Sequence, residues 1–248
     1  SWVALKYKKG TKGLKSMAMR LEEFWNGVCQ HNLKDINFYP KAAVSQKIAI
    51  SFLVICKDEE RCIARCLDSI LSEIETKDER VVLDTGSTDR TLLIIGEYQS
   101  VCLHQTQWTE DFSAARNKCL SYATNEWVFF IDADEQVIPG SIIVLREYIR
   151  FVSQLEETVS ICPVLTDAND HLTWGLTRIF CKSSGLKYHG RIHEHLVGES
   201  GDIRYISLVN VKLIHDGYIE SVKGGKEKQE RNVRLLERQI QAEPENPR

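Results

Sequence analysis

No stretch of this 248-residue sequence is apolar for long enough to cross a bilayer. The longest run, residues 48–56, falls far short of the roughly 20 residues a spanning helix needs, and Ser51 interrupts it. No signal peptide, internal repeat or low-complexity tract is visible. A basic excess is missing too: 32 Lys and Arg face 35 Asp and Glu, for a net charge of -3, which argues against a nucleic-acid partner. The cysteines, at positions 29, 56, 62, 66, 102, 119, 162 and 181, form no Cys-x-x-Cys pair. Several sit inside apolar runs, where a free thiol acts as a small hydrophobe, so the set suits a reducing cytoplasm better than a disulfide framework. What is present describes a globular chain. Hydrophobic residues at 43% and charged residues at 27% are ordinary values. The length allows one large or two small domains and buries about 70–75% of the unfolded surface, so no disulfide or metal is needed to hold a core.

Residues 1–45 are predicted to form a helical arm. Lysines crowd positions 6–15, and Met17, Leu21, Phe24 and Trp25 follow helical spacing before Pro40. Those lysines read as a solvated face or as a contact for an acidic partner or membrane surface. From residue 48 strands and helices alternate. Strands are predicted at 48–55, 81–83, 101–103 and 127–131. A helical face follows the first (Ile63, Cys66, Leu67, Ile70, Leu71), a second helix runs through Leu92 and Ile95, and a third covers 111–122. That order predicts an α/β fold, a Rossmann-like, mostly parallel sheet with helices on both faces. Beyond Pro139 a helix at 142–151 leads to strand-like stretches near Ile161, at 172–180 and at 203–214, and a charged helix at 226–241. The expected domains are therefore the arm, a catalytic domain at 46–220, and a C-terminal helix at 221–248 leading into a further, helical-repeat region.

Open sheets of this kind bind ligands outside the carboxyl ends of their strands. The residues there are Lys57 to Glu59, Asp84 to Asp89, and Asp132-Ala133-Asp134-Glu135. In extended chain, residues i and i+2 point the same way, so Asp132 and Asp134 converge. Two carboxylates so close repel unless a cation lies between them, and a hard divalent ion completed by substrate phosphates answers that need. The bland alternative is a pair of exposed acids capping the next turn.

Four ordered motifs carry a resemblance to family 2 glycosyltransferases of the GT-A fold. They are Lys57-Asp58-Glu59-Glu60, Asp84-Thr85-Gly86-Ser87-Thr88-Asp89-Arg90-Thr91, Trp108 through Asn117, and Asp132-Ala133-Asp134. Within that family, Lys187-Tyr188-His189-Gly190-Arg191-Ile192-His193-Glu194, the arm, and the ending at 243–247 resemble the sublancin-type peptide S-glycosyltransferases. The resemblance implies a UDP-sugar donor and a Mn2+ or Mg2+ ion. Cys56 and Lys57 would border the nucleotide base, Asp84 and Arg116 would contact the nucleotide, Glu59 and Ala133 would help bind the nucleotide sugar, and Gly190 would let backbone approach the sugar. Thr85 stands where many relatives carry a second acid. Asp89 stays open between nucleotide contact and helix start, and Arg116 between nucleotide contact and an ion pair with Asp111. Asp132 would bridge ribose and metal. Asp134 would bind the metal, and His215 would complete its shell or serve structure alone.

Glu194 stands where the family carries its catalytic base, with His193 assisting or orienting it. The implied acceptor is a cysteine or serine of a bacteriocin peptide, transferred with inversion. A surface polysaccharide or lipooligosaccharide is the alternative saccharide acceptor. Acceptor binding or self-association, as a homodimer, would fall to the arm and the C-terminal region. Two rivals come from other classes. His189, His193 and His195 with Glu194 suggest a zinc-dependent hydrolase, although the His-Glu-x-x-His spacing is missing. The second rival is a nucleotide-binding protein without catalysis.

Overall fold

The computed structural model describes residues 48–154, 157–167, 170–198, 202–215 and 222–243, excluding the side chains of 222–228. The expected arm lies outside them. Residues 48–248 form one compact unit.

Its framework is one mixed sheet. The first half is parallel, in the order β3 (Cys102–Gln105), β2 (Glu79–Asp84), β1 (Ile50–Cys56) and β4 (Trp127–Asp132). The second half continues through β8 (Ile179–Cys181), β6 (Val159–Thr166), β11 (Arg204–His215) and β5 (Glu135–Val137), with β7 (Leu172–Thr173) beside β6. There the pairing is antiparallel except between β6 and β11. A short hairpin, β9 (Lys187–His189) and β10 (His195–Val197), stands apart from the sheet. The predicted strand at 172–180 is broken: Gly175 takes φ 78°, and the chain between β7 and β8 leaves the sheet. A one-sided hydrophobic pattern could not show that kink.

The apolar strands β1 and β4 are buried on both faces, as central parallel strands require. Leu53, Val81, Leu83, Val128, Phe130 and Phe180 project to one side. They pack against Cys119, Leu120 and Ala123 of helix α3 (Phe112–Tyr122) and against Tyr188 and Leu196 of the hairpin. Alternate residues such as Phe52, Val54 and Phe129 project to the other side. Helix α1 (Ile63–Leu71) buries Ile63, Cys66, Leu67 and Ile70, and α2 (Thr91–Gly96) packs on it. Each fully buried Phe or Leu contributes about 1.5–3 kcal/mol. The buried thiols act as hydrophobes, and burial pushes Cys119 up to about 12 and Cys162 up to about 11. The last elements are α4 (Ser141–Val152) and α5 (Val222–Ala242). No described helix is long and apolar enough to cross a membrane.

Register places the future site. Cys56 pairs with Asp84 and Ile55 with Asp132, so the carboxyl ends of β1, β2 and β4 finish level. His215 pairs with Glu135, which brings the end of β11 to the turn after β4.

Two buried acids hold this frame. Asp78 accepts from Ile50 N at 2.9 Å and Glu75 N at 2.7 Å, and both its oxygens meet the Arg146 guanidinium of α4. Asp78→Ala would leave the buried Arg146 guanidinium with only Glu75, at 3.5 Å, and the Ile48 carbonyl, and should cost about 3–5 kcal/mol in urea unfolding; a loss under about 1 kcal/mol would sink this account. Glu135, almost fully buried, accepts from Asp132 N at 2.9 Å and from Arg178 at 3.1 Å. Burial pushes its carboxyl up to about 7 although Arg178 pulls the other way. Its folded pKa exceeds the unfolded one, so the stability it contributes is full at acid pH and lost as pH rises through about 7. Glu135→Gln should flatten the stability profile between about pH 4.5 and pH 7 by roughly 1–3 kcal/mol, and an unchanged slope would refute the assignment.

Candidate active site

The loops leaving β1 and β2 are stitched to each other. Asp58, at φ 56°, donates its N–H to Ser87 Oγ at 2.8 Å and accepts from Thr88 N at 2.7 Å. Glu59 N donates to Thr91 Oγ1 at 2.7 Å, and Glu60 N to Asp89 at 3.0 Å, while Arg90 N donates back to Glu60 at 3.0 Å. Asp89 also accepts from Thr91 N at 2.9 Å, so the structure uses it to start α2 and brace the facing loop. Asp84 is fully buried, and its carboxylate accepts from Gly86 N at 3.0 Å and from Ser87 N and Oγ. The structure therefore places Asp84 behind the wall of the cleft, with Thr85 on it. Cys56, Lys57 and Glu59 line that wall. Burial, with Asp84 next in effect, pushes the Cys56 thiol far up, so it stays protonated.

Helix α3 buries an arginine on its apolar face. Arg116 lies beneath Phe130 and Tyr188, its guanidinium carbon 5.5 and 5.4 Å from their ring centres. Nε donates to Glu194 Oε1 at 2.5 Å and Nη2 to Asp132 Oδ1 at 2.8 Å. Nη1 is buried and has no hydrogen-bond partner. The alternative pairing with Asp111 is not formed: that carboxylate caps α3, accepting from Ala114 N at 2.9 Å. Arg178 supplies the second grip on Asp132, Nη1 reaching Oδ1 at 2.8 Å and Nη2 reaching Oδ2. Burial alone would raise the Asp132 pKa, but the two guanidiniums outweigh it and hold the carboxyl far below the usual range. Sequence reasoning missed Arg178. Its one signal was a charged residue next to the apolar run of β8, on the segment where the expected strand breaks.

Asp134 and His215 meet, Oδ2 and Nε2 lying 2.8 Å apart on the cleft. The expected trio is thus not gathered in one place, because Asp132 faces the arginines. An imidazole and a carboxylate at one point form a donor pair that fits a divalent ion. Among the described residues no third His, Cys, Asp or Glu joins them, which leaves further positions to phosphate and water. Ala133, between the acids, lines the cleft. The three-histidine zinc cluster is overturned. His189 and His195 pair across β9–β10 with ring centres 5.6 Å apart, while His193 sits on the cleft and no described group of three ligands forms.

Around these residues opens a cleft of about 1130 Å³, large for a small-molecule site. Ile192, His193 and Glu194 enter from the loop between β9 and β10. Gly190, at φ 101°, shapes that loop from beside the cleft wall. Leu176, Thr177 and Arg178 enter from the break before β8. Arg231, Asn232 and Arg234 of α5 close another side, which spacing within α5 alone could not reveal.

Known proteins resemble this chain. The chain is 35% identical over 199 residues to the SPbeta prophage-derived glycosyltransferase SunS of Bacillus subtilis, covering 79% of this chain and 46% of SunS. A TPR repeat-containing protein of Synechococcus elongatus is 35% identical over 163 residues, covering 64% of this chain and 37% of its own length. The chain thus spans less than half of these relatives. The crystal structure of Staphylococcus aureus TarS residues 1–349 superposes with a TM-score of 0.55 at 15% identity, over 76% of this chain and 63% of that one, which shows a common GT-A fold. Residues 51–215 match the family model described as "Glycosyl transferase family 2", and the chain belongs to that family.

Proposed function

We propose that the chain moves a sugar, with inversion, from a UDP-sugar to a cysteine or serine side chain of a peptide, with Mn2+ or Mg2+ as cofactor. The observation that carries this is Arg116, which lines the cleft and whose buried Nη1 has no hydrogen-bond partner. A guanidinium held on two of its nitrogens and free on the third is built to receive an acceptor oxygen of a ligand, as a nucleotide diphosphate supplies. The 35% identity to SunS supports the peptide acceptor, since the sublancin-type resemblance runs through the same segment.

Cys56, Lys57 and Thr85 would border the base. Asp134 and His215 are the side chains that would hold the cation, whose charge favours departure of the diphosphate. Glu194 offers Oε2 to the acceptor, because Arg116 holds Oε1. As the acceptor sulfur or oxygen bonds to the anomeric carbon, its proton passes to Glu194. The bond from that carbon to the diphosphate oxygen breaks, and the electron pair leaves with the diphosphate. A thiol, with a free pKa of about 8.5, demands less of this base than a hydroxyl does. Arg116 would orient base and leaving group together.

A thermal-shift panel of nucleotide sugars with and without Mn2+, followed by transfer assays on cysteine peptides, serine peptides and saccharides, tests the proposal. One UDP-sugar should stabilise the protein in a Mn2+-dependent way; no shift with any of them refutes the donor assignment. Asp134→Ala should lower transfer by about 10³-fold or more with an unchanged circular dichroism spectrum, and full turnover would overturn the cation site. Glu194→Gln should lower kcat by about 10²–10⁴-fold while donor affinity stays within a few-fold. Equal losses in both would count against its role as base.

A further inference from the structure

The segment carrying Glu194 is held in an unfavourable shape. Gly190 adopts φ 101° and His193 φ 54°, two left-handed positions within four residues. A histidine persists there only where its surroundings over-determine the backbone. Part of the restraint is near: Phe112 N donates to Arg191 O at 2.9 Å, and Arg116 reaches Glu194. The rest comes from α5. Gln239 Oε1 accepts from Arg191 N at 2.8 Å and from Ile192 N at 3.4 Å, binding two consecutive amides just before His193 and Glu194.

Helix α5 is itself fastened to the same region. Leu235 is fully buried, Arg231 lies over Phe112 at 5.3 Å, and Arg234 donates to Glu110 Oε1 at 3.0 Å while Arg238 meets the other oxygen. At its end Glu243 meets His189 Nε2 at 2.9 Å. The helix therefore touches both the start of α3 and the hairpin that carries the base.

We propose that Gln239 is a positioning residue for the transfer step: through the Arg191 and Ile192 amides it fixes the backbone that aims Glu194 at the acceptor. The claim rests on Glu194 being the base. Its chemistry is narrow, because the side chain acts through one oxygen that accepts two N–H bonds. A carboxylate of the same length can do the same, whereas a methyl group cannot. A displacement of about 1 Å in a reacting group can cost about 100-fold in rate, so the effect should fall on turnover.

The test compares the full chain with its Gln239→Ala and Gln239→Glu variants. Backbone hydrogen exchange over residues 190–194 should quicken about tenfold or more in Gln239→Ala, while residues 50–56 keep their protection. Its kcat should fall roughly 10–100-fold with donor affinity within about twofold, and Gln239→Glu should restore both readouts to within about threefold. With wild-type transfer intact, the inference fails if Gln239→Ala leaves exchange or kcat unchanged. It also fails if kcat and donor affinity drop together, or if Gln239→Glu does not rescue. A wild-type chain that binds no UDP-sugar and transfers nothing would instead overturn the parent function.

Discussion

One buried guanidinium organises the cleft. Arg116, on the first turns of α3, stands where the carboxyl edge of the parallel strands meets the β9–β10 loop, and each of these two supplies it a partner. Burying a cation without compensation is prohibitive, so Asp132 and Glu194 must face it, and their positions become consequences of its own. Two aromatic rings cover its flank and Arg178 balances the remaining charge on Asp132. The result is an electrostatic knot in which the proposed leaving-group site and the proposed base share one scaffold.

The knot explains why so much polar material is tolerated beneath a sheet edge. Asp132, Glu135, Arg116 and Arg178 form a chain of alternating charge in which each member satisfies its neighbours. Arg178 is the member whose loss leaves a buried carboxylate, Glu135, without an ion-pair partner among the described residues, and the network specifies a single arrangement as much as it stabilises one. Glu135 is the member whose charge is least secure, since burial opposes it and only Arg178 and the Asp132 N–H compensate.

The parallel half of the fold was readable because strands such as 127–131 are wholly apolar and end abruptly in acids. The carboxyl-edge rule then pointed to Lys57, Asp132 and Asp134, all of which line the cleft. The geometry of Asp84 was not readable. An aspartate in a Gly-Ser-Thr turn looks the same in sequence whether it faces a ligand or caps its own amides, and here it caps. Arg178 and Gln239 escaped for a different reason: each gains its meaning from a partner far along the chain. Gln239 in particular lies on a charged helix whose period describes only its own faces and says nothing of which loop it will touch.

The stitched loops after β1 and β2 make one further point. Six hydrogen bonds join residues 58–60 to residues 87–91, five of them between a side chain of one loop and a backbone amide of the other. Neither loop has an independent conformation to be redesigned. Substitutions at Asp58 and Thr88 act on a shared side-chain bond and will combine non-additively. Redesign of this wall must therefore treat the two loops as a single unit of inheritance, randomised in concert.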